Sequence, residues 1–394
     1  MRSFPLVALL CVMSSLTVNA QVGNAQKITT FDVPNGTETT PTGISTSGNI
    51  VGFYGDTAAG RVRGFVRDSR GAITTFDAPG SNSSDTFSTA PTAISQSGSI
   101  VGYSYTGLPV VQPGFIRNTK GAFASVSLTG AWNVFPQAIN SQGEVVGYYY
   151  DLIGNWHAFL LNPNGTFYSF DQTLIGDTFS AIYDVNDLGQ STGFYDDLNT
   201  RKQVGFLRQA NGSITTFNPL NATDTFPVAI NLTGTITGDY LDTDVSYQSH
   251  GFVRNPNGSI TSFDVPNASD THPVAIDSKG EIAGYYTDTN NTQHGFVRNI
   301  YGQISTFDVP NSTATIPAAM NAQDTITGVF KDSAGNEHGF VMSQSVAPSQ
   351  SETCLRVPIE SMAFAGDRSL SAPGTSAVRA CSGLVLSVVD RSRF

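Results

Sequence analysis

Between Ile28 and Ser343 the chain alternates apolar runs of 5–7 residues with polar stretches rich in Gly, Asn, Asp, Ser and Thr. Short runs of β-branched and aromatic residues, bounded by turn formers, predict strands rather than helices. Residues 260–302 show the order. Ile260–Val265 ends at Pro266, and a polar stretch leads to Pro273–Asp277 and then to Glu281–Thr287. A second polar stretch precedes His294–Arg298. Four strands are expected in this unit.

The unit recurs. Ile28–Pro34 (ITTFDVP) is repeated at Ile73–Pro79, Ile214–Pro219, Ile260–Pro266 and Ile304–Pro310, with weaker copies starting at Phe123 and Phe167. The seven start points lie 44–50 residues apart. Four strands in about 46 residues is the period of a propeller blade. The expected fold is therefore all-β, a seven-bladed β-propeller; an open β-solenoid is the alternative.

Turn chemistry agrees with this reading. Asn140–Gly143, Asn231–Gly234, Asp277–Gly280, Asn162–Gly165 and Asn255–Gly258 share the pattern Asx-x-x-Gly. The leading side chain bonds the turn backbone, and the glycine takes a positive φ without a Cβ clash. Asp324 replaces that glycine in the last copy, which predicts local strain. Constant tight turns belong on one face of the ring and longer, variable loops on the other. Nothing resembling an eighth ITTF strand follows Ser343, so Thr29–Val33 is expected to complete the last blade and hide its edge.

Composition narrows the picture further. With 39 Gly and 19 Pro in 394 residues, and charged residues only 13%, a coiled coil or helical bundle is excluded. A net charge of −11 repels phosphate backbones and argues against nucleic acid as a partner. Residues 1–20 carry Arg2, the apolar stretch Pro5–Met13 and the small-x-small pattern Val18-Asn19-Ala20. That is a secretory signal peptide, too short to span a bilayer, and it predicts a secreted or periplasmic protein with no membrane span. Residues 21–343 then form the propeller and 344–394 a C-terminal tail. The tail holds Cys354 and Cys381, which either pair outside the cell or stay free.

One further motif is His157-Ala158-Phe159, repeated as His-Gly-Phe at His250, His294 and His338 and degraded at Arg63, Pro113 and Val204. With the repeat period, it resembles the secreted proteins with HAF-type repeats. The resemblance covers the repeat region, leaving out the signal and the tail. It implies an extracellular location and a propeller-like body, and it transfers no activity.

Candidate chemistry is sparse. Nucleophile-elbow, zinc-protease, phosphate-loop and Cys-x-x-Cys motifs are missing, and no cofactor or metal is expected. Equivalent histidines in different blades lie too far apart to share an ion, so they read as structural, each opening a strand and bonding a neighbouring turn. Asp56, Asp151, Asp242, Asp288 and Asp332 recur after the aromatic strand, but the fuller calcium-loop spacing is absent. In a column of small residues (Gly43, Ala93, Ala138, Ala229, Ala275, Ala319) Asp184 stands out, and Asp239 replaces an aromatic. These two carboxylates are the weak catalytic candidates. Trp132 and Trp156, expected in variable-face loops of the third blade, are the ligand-binding candidates, because exposed aromatic planes stack on sugars or anchor proteins. The leading expectation is a non-catalytic module that binds an extracellular glycan or protein. The alternative is a polysaccharide hydrolase or lyase using carboxylates near the axis.

Overall fold

The computed structural model describes residues 26–79, 89–104, 112–170, 179–242 and 248–344, together with the short strands Leu355–Pro358 and Ala377–Ala380. The expected signal peptide, Cys354 and Cys381 lie outside the described residues. The chain divides into two units, and one of them, Lys27–Ser343, holds the repeats. In the other, Leu355–Pro358 pairs antiparallel with Ala377–Ala380.

The repeat unit is a seven-bladed β-propeller, each blade a four-stranded antiparallel sheet. Blade 1 runs Gly36–Ile44, Ile50–Asp56, Arg61–Arg67, Ile73–Phe76, and blades 2 to 6 follow the same order. Blade 7 contributes Ala314–Met320, Thr325–Lys331 and Glu337–Gln344, and its fourth strand is the N-terminal Gln26–Phe31. The first strands contact one another around the axis, and Gly36–Ile44 meets the first strands of both blade 2 and blade 7. The ring is closed, and the ITTF strand lies outermost, as the sequence required.

Each repeated residue has a packing reason. The third-strand phenylalanines Phe65, Phe115, Phe159, Phe206, Phe252, Phe296 and Phe340 are at most 3% exposed. Each is paired in register with a second-strand glycine, as Gly284 is with Phe296. In six blades the same glycine faces the first strand where a proline precedes a bulge, as at Pro273↔Gly284; blade 4 has Ile182 there. A Cβ on Gly284 would stand 2.3 Å from the His272 carbonyl and 2.6 Å from the Phe296 ring. Proline suits that bulge, having no amide to donate to the ladder.

Blades join along a seam outside the axis. In five blades the fourth-strand phenylalanine meets the third-strand phenylalanine of the next blade edge-on, with centroids 6.2 Å apart for Phe263–Phe296 and for Phe307–Phe340; blade 2 has Val126 at this position. The next blade's arginine lies over the same ring: Arg117 over Phe76, Arg254 over Phe217 and Arg298 over Phe263, at 4.8–4.9 Å. Such pairs add about 0.5–1.5 kcal/mol beyond buried area, and the cation–π contact adds a similar amount. The seam continues across closure, with Phe31 against Phe65 at 6.1 Å and beneath Arg67 at 4.9 Å.

The histidines prove to be clamps. His250 and His294 bond Asp264 and Asp308, just past the outer strand, at 2.9 and 3.0 Å through Nδ1. Their Nε2 atoms face Asp242 and Asp288 on the hairpin between second and third strands. His338 does the same across closure, reaching Asp32 at 2.9 Å and Asp332 at 3.4 Å. Burial opposes its charge, but the bonds to Asp32 and Asp332 outweigh that and raise its pKa. In blade 1 the clamp is Arg63, bonded to Asp77 and Asp56. The recurrent aspartates thus serve this clamp and their own turns; Asp151 Oδ1 accepts the amides of Ile153 and Asn155, both at 2.9 Å. Asx-x-x-Gly turns also close second-to-third strand hairpins, at Asp151–Gly154 and Asp332–Gly335. That face is therefore less variable than the sequence suggested.

Gly284→Ala is expected to cost ~3 kcal/mol, the upper end for overpacking a close contact. Urea unfolding checks this; a loss below ~0.5 kcal/mol would show that the joint gives way easily.

Candidate functional site

Two ends of the ring offer sites. At the tight-turn end, a cavity of about 430 Å³ is lined from all seven blades, from Ile44 and Ile94 to Ile276 and Met320. Its wall carries side chains that tie six of the seven blades to the next. Asn140 Nδ2 donates to the carbonyl of Asn186 (3.1 Å), Asn186 to that of Asn231 (2.8 Å), and Asn231 to that of Asp277 (3.0 Å). Asn321 donates to the carbonyl of Ser45 at 3.0 Å, joining the last blade to the first. Blades 1 and 2 carry serines at this position, too short to reach. There Thr42 and Thr92 bond the carbonyls of Pro91 and Pro136 in the next blade, at 3.1 and 2.7 Å.

Asp184 belongs to this ring. It lies on the innermost strand Ser180–Val185, as its column predicted, and lines the cavity. Its Oδ2 accepts the Ile230 amide of blade 5 and its Oδ1 the Val185 amide, both at 2.8 Å. Burial pushes its pKa up to about 6, although both amide bonds work the other way. The geometry makes Asp184 an inter-blade tie.

Asp239 lies elsewhere, between blades 5 and 6. It takes a position where Phe194 of blade 4 packs on Phe226 of blade 5, 5.2 Å between centroids. At the next joint the aromatic pair becomes polar: Asp239 faces His272 Nδ1 at 3.0 Å and accepts the Ser249 hydroxyl at 2.6 Å. Ser249, Asp239 and His272 do not form a nucleophilic triad, because serine and aspartate both address Nδ1, whereas a triad puts them on opposite ring nitrogens. Asp239 pairs with Phe226, four residues along the strand from Ile230, to which Asp184 is bonded. At ~3.3 Å per residue that is about 13 Å, beyond the ~5–9.5 Å of glycosidase carboxylate pairs. The two catalytic candidates are not brought together.

At the opposite end, blade 3 stands out. Both tryptophans belong to strands rather than to loops. Trp132 sits in Ala131–Ile139 at a bulge between Ala131 and Asn133 and is 45% exposed. Trp156 opens the strand Trp156–Leu161 and is half-buried, sandwiched between Tyr148 at 4.8 Å and Phe179 at 4.2 Å. Phe135 stacks on Tyr148 in turn, at 5.0 Å. Trp156 thus anchors the blade 3–4 joint while Trp132 faces solvent. On the hairpin beside them Leu152 and Ile153 are 73% and 85% exposed. Sequence reasoning missed these two.

No protein-family model matches the chain, and no curated protein matches it. Among solved structures, AofleA from Arthrobotrys oligospora is 13% identical, with 72% of this chain and 90% of that one covered and a TM-score of 0.41. Puromycin hydrolase is 12% identical, with 77% and 50% covered and a TM-score of 0.45. Aleuria aurantia lectin in complex with α-methyl-L-fucoside is 11% identical, with 71% and 97% covered and a TM-score of 0.37. Similarities of this size do not extend a function to this chain.

The pKa of Asp184 has a testable sign. A carboxyl whose folded pKa lies above its unfolded value contributes stability that is fully present below the unfolded value and lost as pH rises through about 6. Asp184→Ala should melt lower than the native chain, and the gap should widen as pH falls from 7 towards 4. A gap that narrows on acidification would mean that the carboxylate is held charged.

Proposed function

We propose that this is a secreted propeller of the HAF-repeat type whose role is binding, with blade 3 of the variable-loop face meeting an extracellular glycan or protein. The observation that carries the reading is the exposed Trp132, held on a strand bulge and flanked by the exposed hairpin residues Leu152 and Ile153. A solvent-facing indole on a rigid strand presents its plane at little entropic cost, which suits stacking on a sugar ring or filling a partner's pocket. In the same blade the stack of Phe135, Tyr148, Trp156 and Phe179 holds the second and third strands against the chain entering blade 4. The acidic balance of the chain favours neutral or basic ligands over anionic polysaccharide. A polysaccharide-cleaving role finds less support, because Asp184 and Asp239 are separated and each is engaged in joining blades.

Binding to arrayed neutral glycans and to extracellular protein extracts tests this. Trp132→Ala is expected to weaken retention about tenfold or more while leaving the melting temperature nearly unchanged. Trp156→Ala should instead lower the melting temperature. Undiminished retention by Trp132→Ala would contradict the reading.

A further inference from the structure

Four joints of the ring are tied by an asparagine and two by a threonine; the joint between blades 6 and 7 has neither tie. Asn140, Asn186, Asn231 and Asn321 each send an amide group to the next blade's carbonyl. At the equivalent position blade 6 has Asp277, 3% exposed, which at neutral pH has no hydrogen to give. Its Oδ1 is fully used, accepting the amides of Lys279, Gly280 and Glu281 at 2.7–2.9 Å. Its Oδ2 is buried without a hydrogen-bond partner.

Apart from the Lys279 ammonium, the surrounding side chains add acceptors. Glu281 occupies the position from which Glu144 takes the Asn140 amide at 2.6 Å and Gln190 takes that of Asn186 at 2.8 Å. With aspartate in place of asparagine, Glu281 faces a second carboxylate. Blade 7 contributes a third, because Asp324 stands where the six other blades have the turn glycine, at φ 58°. Its Oδ2 takes the Lys279 ammonium, but its Oδ1 is also buried and unpartnered. One oxygen each from Asp277, Glu281 and Asp324 lie within 4.8 Å of one another. Two oxygens bound to one calcium ion at 2.3–2.6 Å stand at most about 5 Å apart, so the cluster needs little movement to share an ion.

We propose that Asp277, Glu281 and Asp324 form a site for a hard divalent cation, calcium by preference, which replaces the missing asparagine tie between blades 6 and 7. Three carboxylates against one lysine leave two negative charges, which a divalent ion balances. All-oxygen donors on two hairpins suit calcium's adaptable coordination better than the strict octahedron of magnesium. Burial, and then Asp324, push the pKa of Asp277 up to about 6. The competing arrangement is a proton shared by Asp277 and Asp324.

The test uses two variants that restore the repeat's own residue, Asp277→Asn and Asp324→Gly. The full chain, freed of metal by chelator, is melted at neutral pH with and without excess calcium chloride. The native chain should gain about 5 °C or more with calcium. Asp277→Asn should lose that gain, and its chelated form should melt at or above the chelated native chain, because the amide tie is restored. Asp324→Gly should lose most of the gain as well. Two results would overturn the proposal. One is a native chain that melts identically in chelator and calcium yet gains stability from pH 7 to pH 5, which identifies the shared proton. The other is a calcium response that persists in both variants, which places the ion elsewhere.

Discussion

A propeller blade cannot bury its own two faces, so the structure depends on the seam at which one blade's outer-strand aromatic enters the next blade. In this chain that aromatic is the phenylalanine of the ITTF segment, which lies against a fully buried third-strand phenylalanine and beneath an arginine. Most of the repeat follows from this contact. Where the fourth strand sets a phenylalanine ring against it, the glycine of His-Gly-Phe is required: a Cβ at Gly295 would stand 2.5 Å from the Phe307 ring. The histidine then fixes the outer strand by its following aspartate. A seam of this kind has no natural end, so a ring is its solution, and the first strand must supply the last blade's missing aromatic.

Once the ring is closed, its two ends differ in chemistry. At the tight-turn end blade-to-blade hydrogen bonds, in which Asp184 takes part, run round the ring except between blades 6 and 7. The other end carries the hairpins and inter-blade connections, and in blade 3 it shows apolar surface and an aromatic stack. Departures from the repeat therefore need reading joint by joint. Asp184 and Asp239 both break a column, and both serve to join blades, one through backbone amides and the other through His272. At the joint between blades 6 and 7, Asp277 and Asp324 break columns and each keeps one carboxylate oxygen buried without a partner, which sets them apart.

Much of the fold was legible in the sequence, because repetition reveals strand order, turn chemistry and blade number without knowledge of any contact. Even closure could be read, from the lack of an ITTF segment after Ser343. What the sequence could not show is what faces what. Trp132 and Trp156 look alike on paper, and only the bulge at Trp132 and the ring of Phe179 separate the exposed indole from the packed one. The proline and glycine columns were visible, but their meeting at a bulge appears only with the register. The cluster of Asp277, Glu281 and Asp324 escaped for the same reason: two turns 47 residues apart become neighbours only around the ring. The sequence signal was present in Asp324, noted for its strained turn rather than for its carboxylate.

Closure is the claim on which the rest depends, and the melting temperature of a chain lacking residues 21–34 tests it most directly. Such a chain loses Phe31 from its place against Phe65 and Arg67, and loses Asp32 from the His338 clamp. The account predicts a single cooperative transition shifted down by more than about 10 °C, or no cooperative transition at all. An unchanged melting temperature would mean that the ring holds without its first strand.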